Sequence, residues 1–384
     1  MHTLSRRLAV ATAAGLVTLA LAACGDTAGS TPTASTASAD QTALAAAQAN
    51  LDKHLSVPAG IVQSTALTKV PPKKKVGFVQ CADPACAKLA TYVKEATGAL
   101  GWSLVTVNAT ATDPGAAIQQ AIDAGVDYIA TTGFPVALFK QQLAQAKAKG
   151  IGMFLCFSTD VPAGQDNNLY SDCYDSTAAN AYATALADYL IVQSKGAANA
   201  LVVTIPTYPI LTAQVDAARA EFARNCPACK LNTLEVTVND LVGGAVPQNI
   251  SSYLQAHPDV DYVYFTYASL DTGVTAALRA AGLQSKVKLV GTQGSQPQMK
   301  EVAAGTAAAW SALPQELSMW TMVDQMARLS VDQWSAPDER KAAIPPFYLV
   351  TTADAANAVA SLPDGWPGPT GFKDNFKKLW GVQG

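Results

Sequence analysis

Lys75-Val76-Gly77-Phe78-Val79 is a short apolar run of strand type, and the pattern that follows it decides the fold. Ala85 to Leu100 has helical spacing and stops at Gly101. Leu104–Val107 reads as the next strand and Pro114–Ala124 as the next helix. Tyr128–Ala130 is a strand, Pro135–Lys149 a helix ending at Gly150, and Gly152–Leu155 a strand again. Strands alternating with helices of about 10–15 residues predict βαβ units and a parallel sheet.

The rhythm restarts downstream. Helices are expected over Ala178–Ser194, Thr212–Asn225, Val246–Ala256, Asp271–Ala281 and Gln296–Ala304. Strands are expected over Ala200–Ile205, Leu231–Val238, Tyr262–Thr266 and Val287–Val290. Ala307–Ser311 is expected as an edge strand, and a helix over Met319–Asp332 can cross back onto the first half. Phe347–Thr351 is a late strand, and the tail to Gly384 reads as irregular with a final short helix. The fold class is therefore α/β, with two doubly wound parallel-sheet halves.

The bulk numbers agree with two domains. The chain has 384 residues, and domains run to roughly 100–200 each. It is 49% hydrophobic and 14% charged, which suits a large core and argues against disorder. Arg6 and Arg7 precede an uncharged apolar run, Leu8–Ala23, that is short for a membrane span and reads as a secretion signal. Beyond Cys24 there are 24 basic and 29 acidic residues, a net charge of −5. No basic patch is available to neutralise phosphates, so nucleic acid is not an expected partner. Leu21-Ala22-Ala23-Cys24 resembles the lipobox of bacterial lipoproteins. The resemblance implies that Cys24 carries the lipid and tethers the mature chain to a membrane outside the cytoplasm. Each acyl methylene buried there contributes roughly 0.8 kcal/mol. The alternative is an ordinary signal peptide ending in cysteine. Gly25 to about Ser38 is rich in Ser, Thr, Ala and Gly and reads as a flexible tether; Ala39–Leu55 can add a short helix.

Six further cysteines remain: Cys81, Cys86, Cys156, Cys173, Cys226 and Cys229. An even number in an exported chain suggests disulfides. Six cysteines allow 15 connectivities, and sequence alone does not choose among them. The spacing invites the local pairs Cys81–Cys86, Cys156–Cys173 and Cys226–Cys229, which are the expectation.

In order and spacing, several stretches resemble the type I periplasmic-binding-protein family, the ribose- and galactose-type solute receptors of ABC importers. Lys75–Val79 with Asp83-Pro84 is similar to the family's first strand and Asn-Pro loop. Ile118–Ile129, containing Ala124-Gly125-Val126-Asp127, is similar to its helix-then-strand unit. His257-Pro258-Asp259 is similar to its His-Pro-Asp turn, and Gly273–Leu278 with Ala281-Gly282 to its next helix. Leu289-Val290-Gly291-Thr292-Gln293-Gly294 resembles its Val-Gly-Phe-Asp-Gly strand. The resemblance implies two lobes joined by three crossings, with a ligand cleft between them that closes by hinge motion. It implies a first lobe of residues 73–180 plus 313–345 and a second of residues 181–312 plus 346–384. Residues 1–24 are then the signal ending at Cys24, and 25–72 the tether with its short helix.

Ligands of open α/β sheets sit beyond the carboxyl ends of the strands. That rule selects Gln80, Cys81 and Asp83 after the first strand, Thr131, Thr132 and Phe134 after the third, and Phe157, Ser158 and Asp160 after the fourth. In the second half it selects Thr207, Tyr208, Tyr267, Ser269 and Gln293. Trp310 and Gln315 flank the returning crossover. The ligand-binding set expected from these is Gln80, Asp83, Thr132, Phe134, Phe157, Ser158, Tyr208, Tyr267, Gln293 and Trp310. Asp83 can equally cap the helix that starts near Pro84, and Phe157, Tyr208 and Tyr267 can equally be packing residues. Sugar receptors of the family place Asp-Arg where this chain has Phe157-Ser158, Asn-Asp where it has Tyr267-Ala268, and Asp where it has Gln293. A buried carboxylate needs a partner, which a sugar hydroxyl supplies. Losing those carboxylates favours an uncharged ligand with apolar or aromatic faces, held by stacking and a few neutral hydrogen bonds.

No Gly-x-Ser-x-Gly elbow, dinucleotide fingerprint or P-loop is present. The histidines are His2, His54 and His257, and no zinc site assembles at the usual spacings. Cys226-Pro227-Ala228-Cys229 is the one motif that suggests catalysis, as a thiol–disulfide centre. It follows the helix Thr212–Asn225, however, and so meets the negative end of the dipole, which raises a thiol pKa. A structural disulfide is the better reading; an exported oxidoreductase using Cys226 and Cys229 is the alternative, and a ligand-sensing partner of a membrane receptor is another. The expectation is a monomeric, non-enzymatic, membrane-anchored solute receptor that captures a small uncharged ligand without cofactor or metal: a sugar or polyol as the family resemblance implies, or a more apolar or aromatic compound as the cleft residues suggest. Its permease and ATPase would be separate chains.

Overall fold

The computed structural model describes residues 34–82, 84–110, 112–158, 163–170, 173–335 and 344–382. Cys24, Asp83 and Asp160 lie outside the described residues, so the expectations placed on them have no structural account here.

The first sheet is built from β1 (Lys75–Gln80), β2 (Ser103–Asn108), β3 (Tyr128–Thr132) and β4 (Gly152–Cys156), in the order β2-β1-β3-β4 and parallel throughout. Val76 pairs with Leu104 on one side and Tyr128 on the other. Both faces of β1 are buried, which explains why it reads as a continuous apolar run rather than an alternating one. On one face Val76 and Phe78 pack with α2 (Pro84–Ala99) through Leu89 and Val93. On the other, Val79 packs with Ile118 and Ile122 of α3 (Pro114–Asp123). Gly77 lets α3 approach closely: a Cβ there would lie 3.0 Å from the Ala121 methyl. The Asp113 carboxylate accepts from the Ala116 amide at 3.1 Å and starts α3. The helix expected over 135–149 is divided. A 3-10 turn at Val136–Leu138 precedes α4 (Lys140–Ala148), and buried Phe139 between them has a φ of −143° that no α-helix accommodates.

The second sheet contains β5 (Asn199–Thr204), β6 (Lys230–Glu235), β7 (Tyr262–Phe265), β8 (Lys288–Gly294), β9 (Ala307–Ala312) and β10 (Tyr348–Val350), in the order β10-β9-β8-β7-β5-β6. All pairs are parallel except β10 with β9. Ala307–Ser311, expected at an edge, is therefore interior, because β10 pairs along its free side. The helices of this half are α5 (Ser176–Gln193), α6 (Pro209–Asn225), α7 (Val238–Val242), α8 (Val246–Ala256), α9 (Val274–Ala280) and α10 (Gln296–Ala303). Strand β6 ends three residues before the expected Val238, and α7 follows it. The Thr237 hydroxyl accepts from the Asp240 amide while Asp240 accepts from the Thr237 amide, a reciprocal cap that begins the short helix.

The chain then returns. After β9, α11 (Gln315–Ser330) packs Leu317, Met319, Met322 and Val323 into the core of the first sheet. Helix α12 (Ala353–Ala360) stays with the second sheet, packed on α10. The last helix, α13 (Phe372–Trp380), was expected with the second half but lies on the first. Phe372, Phe376 and Trp380 are buried, and Trp380 stacks on Trp320 with ring centroids 5.5 Å apart.

The segment read as a tether is likewise helical from residue 34 and joins the packed body through its later turns. Helix α1 (Ala34–Leu51) buries Ala47 and Leu51 against the second core, and Asn50 donates to Asp188 on α5. Residues 61–68 then lie on the first half, where the Leu67 amide donates to the Leu379 carbonyl at 2.8 Å. Besides the three expected crossings, the chain thus passes between the halves before β1 and again after α12. No helix among the described residues is long and apolar enough to cross a membrane.

Trp310 illustrates how β8 and β9 fit. Its ring lies flat against Gly291, where a Cβ would fall 2.3 Å from the indole, and it stacks on Phe265 at 5.8 Å. Glycine is required there by space rather than by φ. We expect Gly291→Ala to destabilise the protein by about 1–3 kcal/mol or more through overpacking. The denaturation midpoint should fall in urea with little change in slope.

Candidate functional site

The carboxyl ends of the two parallel sheets open on one cavity of about 700 Å³. From the first half it is lined by Cys81, Ala82, Cys86 and Leu89 at the β1–α2 turn, by Thr132, Gly133 and Phe134 after β3, and by Phe157 after β4. From the second half come Ile205, Tyr208, Ile210 and Leu211 after β5, and Val238, Leu241 and Val242 of α7 after β6. Tyr267, Ser269 and Thr272 follow β7, Gln293 ends β8, and Gln315 begins α11 where the chain returns.

Two lining residues have left-handed backbones without being glycine: Phe157 at φ +58° and Gln293 at φ +62°. Such conformations are costly for side-chain-bearing residues and persist only where surrounding bonds enforce them. The Phe157 amide donates to the Tyr174 carbonyl at 3.1 Å, and the Gln293 amide to the Ser311 hydroxyl at 3.0 Å. A buried network sits directly behind two of the lining side chains. Gln214 of α6 donates to the Thr266 carbonyl at 3.0 Å. The Thr292 hydroxyl donates to Gln214 Oε1 at 2.6 Å and lies 3.0 Å from the same carbonyl. Tyr267 and Gln293 are the next residues along the chain, so α6 fixes the ends of β7 and β8 that present them.

Of the residues expected to meet ligand, the structure brings Thr132, Phe134, Phe157, Tyr208, Tyr267 and Gln293 together around the cavity. Gln80 and Ser158 are half-buried beside it and do not line it. Trp310 is a correction: it is fully buried in the second core because Gly291 and Gly294 leave room for its ring there. The apolar wall of Leu89, Ile205, Ile210, Leu211 and α7 was not expected. The α7 residues were missed because Val238 was read as strand, although Thr237-Val238-Asn239-Asp240 carries a capping pattern.

All three expected disulfides form: Cys81–Cys86, Cys156–Cys173 and Cys226–Cys229. Cys81–Cys86 forms part of the cavity wall, with the Cys86 sulfur 3.9 Å from the Thr132 hydroxyl. Cys226–Cys229 closes the turn between α6 and β6 and does not line the cavity. Among the described residues, no Asp, Glu, Lys, Arg or His lines the cavity, and no group of three or more His, Cys, Asp or Glu could hold a metal ion. The chemistry available is stacking, apolar contact and neutral hydrogen bonding from hydroxyls and amides.

One ionisable group lies just behind the wall. Asp271 ends the buried turn Ala268–Asp271, which carries Ser269 and adjoins Thr272. Gln298 of α10 donates to Asp271 Oδ2 at 3.3 Å and to the Ala268 carbonyl at 3.3 Å. Burial, followed by the hydrogen bond and negative charge of Glu301, pushes the Asp271 carboxyl up to about 8.

Comparison with known proteins places this geometry in context. Residues 81–333 match the periplasmic binding protein domain family. Comparison with curated protein sequences found no match. Among solved structures, an ABC sugar transporter subunit from Rhodobacter sphaeroides 2.4.1 is 20% identical with a TM-score of 0.60, covering 73% of this chain and 98% of that one. A 5-methylthioribose transporter solute binding protein from Thermotoga lettingae, in complex with 5-methylthioribose, is 15% identical with a TM-score of 0.62, covering 82% and 99%. A Caulobacter myo-inositol binding protein bound to myo-inositol is 16% identical with a TM-score of 0.61, covering 75% and 97%.

The Asp271 environment has a consequence for stability. A carboxyl whose value is raised on folding adds stability that is complete below its unfolded value, about 3.9, and is lost as the pH rises through the folded one. We expect the stability of the protein relative to its Asp271→Asn variant to fall between pH 5 and pH 9. Urea midpoints of both proteins across that range check it, and a pH-invariant difference would show that the Asp271 carboxyl is not raised on folding.

Proposed function

The chain belongs to the periplasmic binding protein family, and from that premise we propose that it is the solute receptor of an ABC import system, anchored outside the cytoplasm by a lipid on Cys24. It captures a small uncharged organic ligand between its lobes by hinge closure and has no catalysis of its own. Permease and ATPase are separate chains, and the receptor works as a monomer. The first lobe is built on 73–175 and 313–345 together with the C-terminal helix α13; the second is built on 176–312 and 346–360 together with α1, because the expected boundary at 180 falls inside α5, whose Ala178 and Ala179 pack in the second core.

The observation that carries this reading is the cavity at the carboxyl ends of both sheets, lined from both halves and free of charged side chains among the described residues. A volume near 700 Å³ lies in the range of small-molecule sites, roughly 300–1,000 Å³. Similar folds bind neutral ligands: myo-inositol in one and 5-methylthioribose in another. Thr132, Ser269, Gln293 and Gln315 can exchange hydrogen bonds with hydroxyls, while Phe134, Phe157, Tyr208 and Tyr267 offer aromatic faces. The anchor is supported by the lipobox-like Leu21-Ala22-Ala23-Cys24 alone.

The chain from Gly25 onward should show ligand-dependent melting and tryptophan fluorescence when tested against neutral sugars, polyols and small aromatic or alicyclic alcohols. A ligand present at about 100 times its dissociation constant stabilises the folded state by roughly 2.7 kcal/mol, a readily measured shift. Absence of a shift with every neutral compound, beside a shift with charged ones, would overturn the proposed ligand class. In cells, the full chain should incorporate labelled palmitate and sediment with membranes, and Cys24→Ala should do neither.

A further inference from the structure

The polarity of the cavity is not evenly spread, and its order follows the order of the strands. In the second sheet, β8 and β7 contribute Gln293, Tyr267, Ser269 and Thr272. Next in the sheet, β5 is followed by Ile205, Ile210 and Leu211, with Tyr208 the one polar tip. At the edge, β6 leads into α7, whose contributions are Val238, Leu241 and Val242. The cavity floor therefore grades from amides and hydroxyls beside the hinge, where Gln315 also lies, to a purely aliphatic end under α7.

Helix α7 is unusual in what it exposes. Val238 and Leu241 are half-buried against the second core, yet Val242 is 82% exposed, the most open large hydrophobic among the described residues. Its short helix is held by the Thr237–Asp240 cap and is followed by Gly243 and by Gly244 at φ +72°. Leaving an aliphatic side chain in water at the rim of a cavity forgoes the stabilisation that burial would give. Ligand that covers Val242 recovers it.

Resting on the reading of this cleft as a solute site, we propose that it selects amphipathic neutral ligands: a hydroxyl-bearing head at the Gln293–Gln315 end and an alkyl or aryl substituent covered by α7. The head is held by the amides and hydroxyls of β7, β8 and the α11 start. The substituent lies against Leu241 and Val242, and unsubstituted polyols leave that end wet. Val242 is then a specificity-determining residue rather than a packing residue of the lobe, while Leu241 serves both the second core and the ligand.

Calorimetry on the chain from Gly25 onward tests this with matched probes. Myo-inositol, D-ribose and D-glucose are compared with their methyl, butyl, hexyl and phenyl ethers or glycosides, and with hexanol and phenol as tails without heads. Affinity for at least one head should tighten three- to fourfold per added methylene until the aliphatic end is filled, the ratio expected from about 0.8 kcal/mol per methylene. Val242→Asp, at an exposed position that the fold tolerates, should collapse the ratio of substituted to bare affinity toward one. Gln293→Leu should weaken both members of a pair alike. Bare heads that bind as tightly as their substituted forms, or a substituent gain unchanged in Val242→Asp, would overturn this inference and leave the solute-receptor reading intact. If no probe with a hydroxyl head binds, this inference fails while the receptor reading stands or falls by the wider neutral and charged panel; binding of hexanol and phenol as tight as that of the substituted heads would overturn the head assignment.

Discussion

Asp324 lies fully buried on α11 and holds three distant parts of the chain in one place. Its Oδ1 accepts from the Trp380 indole at 2.7 Å, and its Oδ2 accepts from Arg328 Nε at 2.7 Å. Arg328 passes the contact on by donating to the Thr65 carbonyl at 2.9 Å. Burial raises the Asp324 carboxyl, and Arg328 and Trp380 oppose that rise. A buried ion pair contributes little net stability over an apolar substitute, but breaking one leaves an uncompensated charge and costs several kcal/mol. The pair thus links α11, Trp380 and the Thr65 carbonyl through buried hydrogen bonds. A parallel sheet must be covered on both faces, and the first sheet has too few helices of its own on one side. Helix α11, arriving from the second half, and α13, arriving from the C-terminus, complete that layer.

This borrowing positions the cleft. Because α11 begins at Gln315 beside the cavity and ends in the core of the first half, the element that closes the first sheet also carries a lining residue. The same dependence appears behind Tyr267 and Gln293, where one buried glutamine, Gln214, ties the ends of two strands to a helix. The lining side chains stand on strand ends whose geometry is set one layer deeper. Left-handed backbones at Phe157 and Gln293 fit that arrangement, since a strained conformation survives only where the frame over-determines it.

Much of the fold was legible in sequence, because the βαβ rhythm is a local signal. Short apolar runs such as Val76–Val79 and Val287–Val290 are read by composition, and helix ends such as Gly101 and Gly150 by their glycines. The lining residues Thr132, Phe134, Phe157, Tyr208, Tyr267 and Gln293 were reached by one rule, that strand carboxyl ends carry ligands. Trp310 was misplaced by the same rule. It sits near a crossover, yet its ring fills the space that Gly291 leaves empty, and nothing local to either residue announces the pair. The α7 wall was missed because a five-residue helix has too little periodicity to stand out against the preceding strand.

The chain's own sequence determined the alternation of elements and the lack of a Gly-x-Ser-x-Gly elbow, dinucleotide fingerprint or P-loop, and its spacing favoured local cysteine pairs, since each depends on residues close together. Only the tertiary structure decided which half owns the terminal helices, that β9 is interior, and how polarity is graded along the cavity. Those features arise from contacts such as Thr65 with Arg328 and Trp380 with Asp324, and from the lateral order of strands. Their energy lies in surfaces that meet only after the chain has folded, and no periodicity within a segment records which distant surface will cover it.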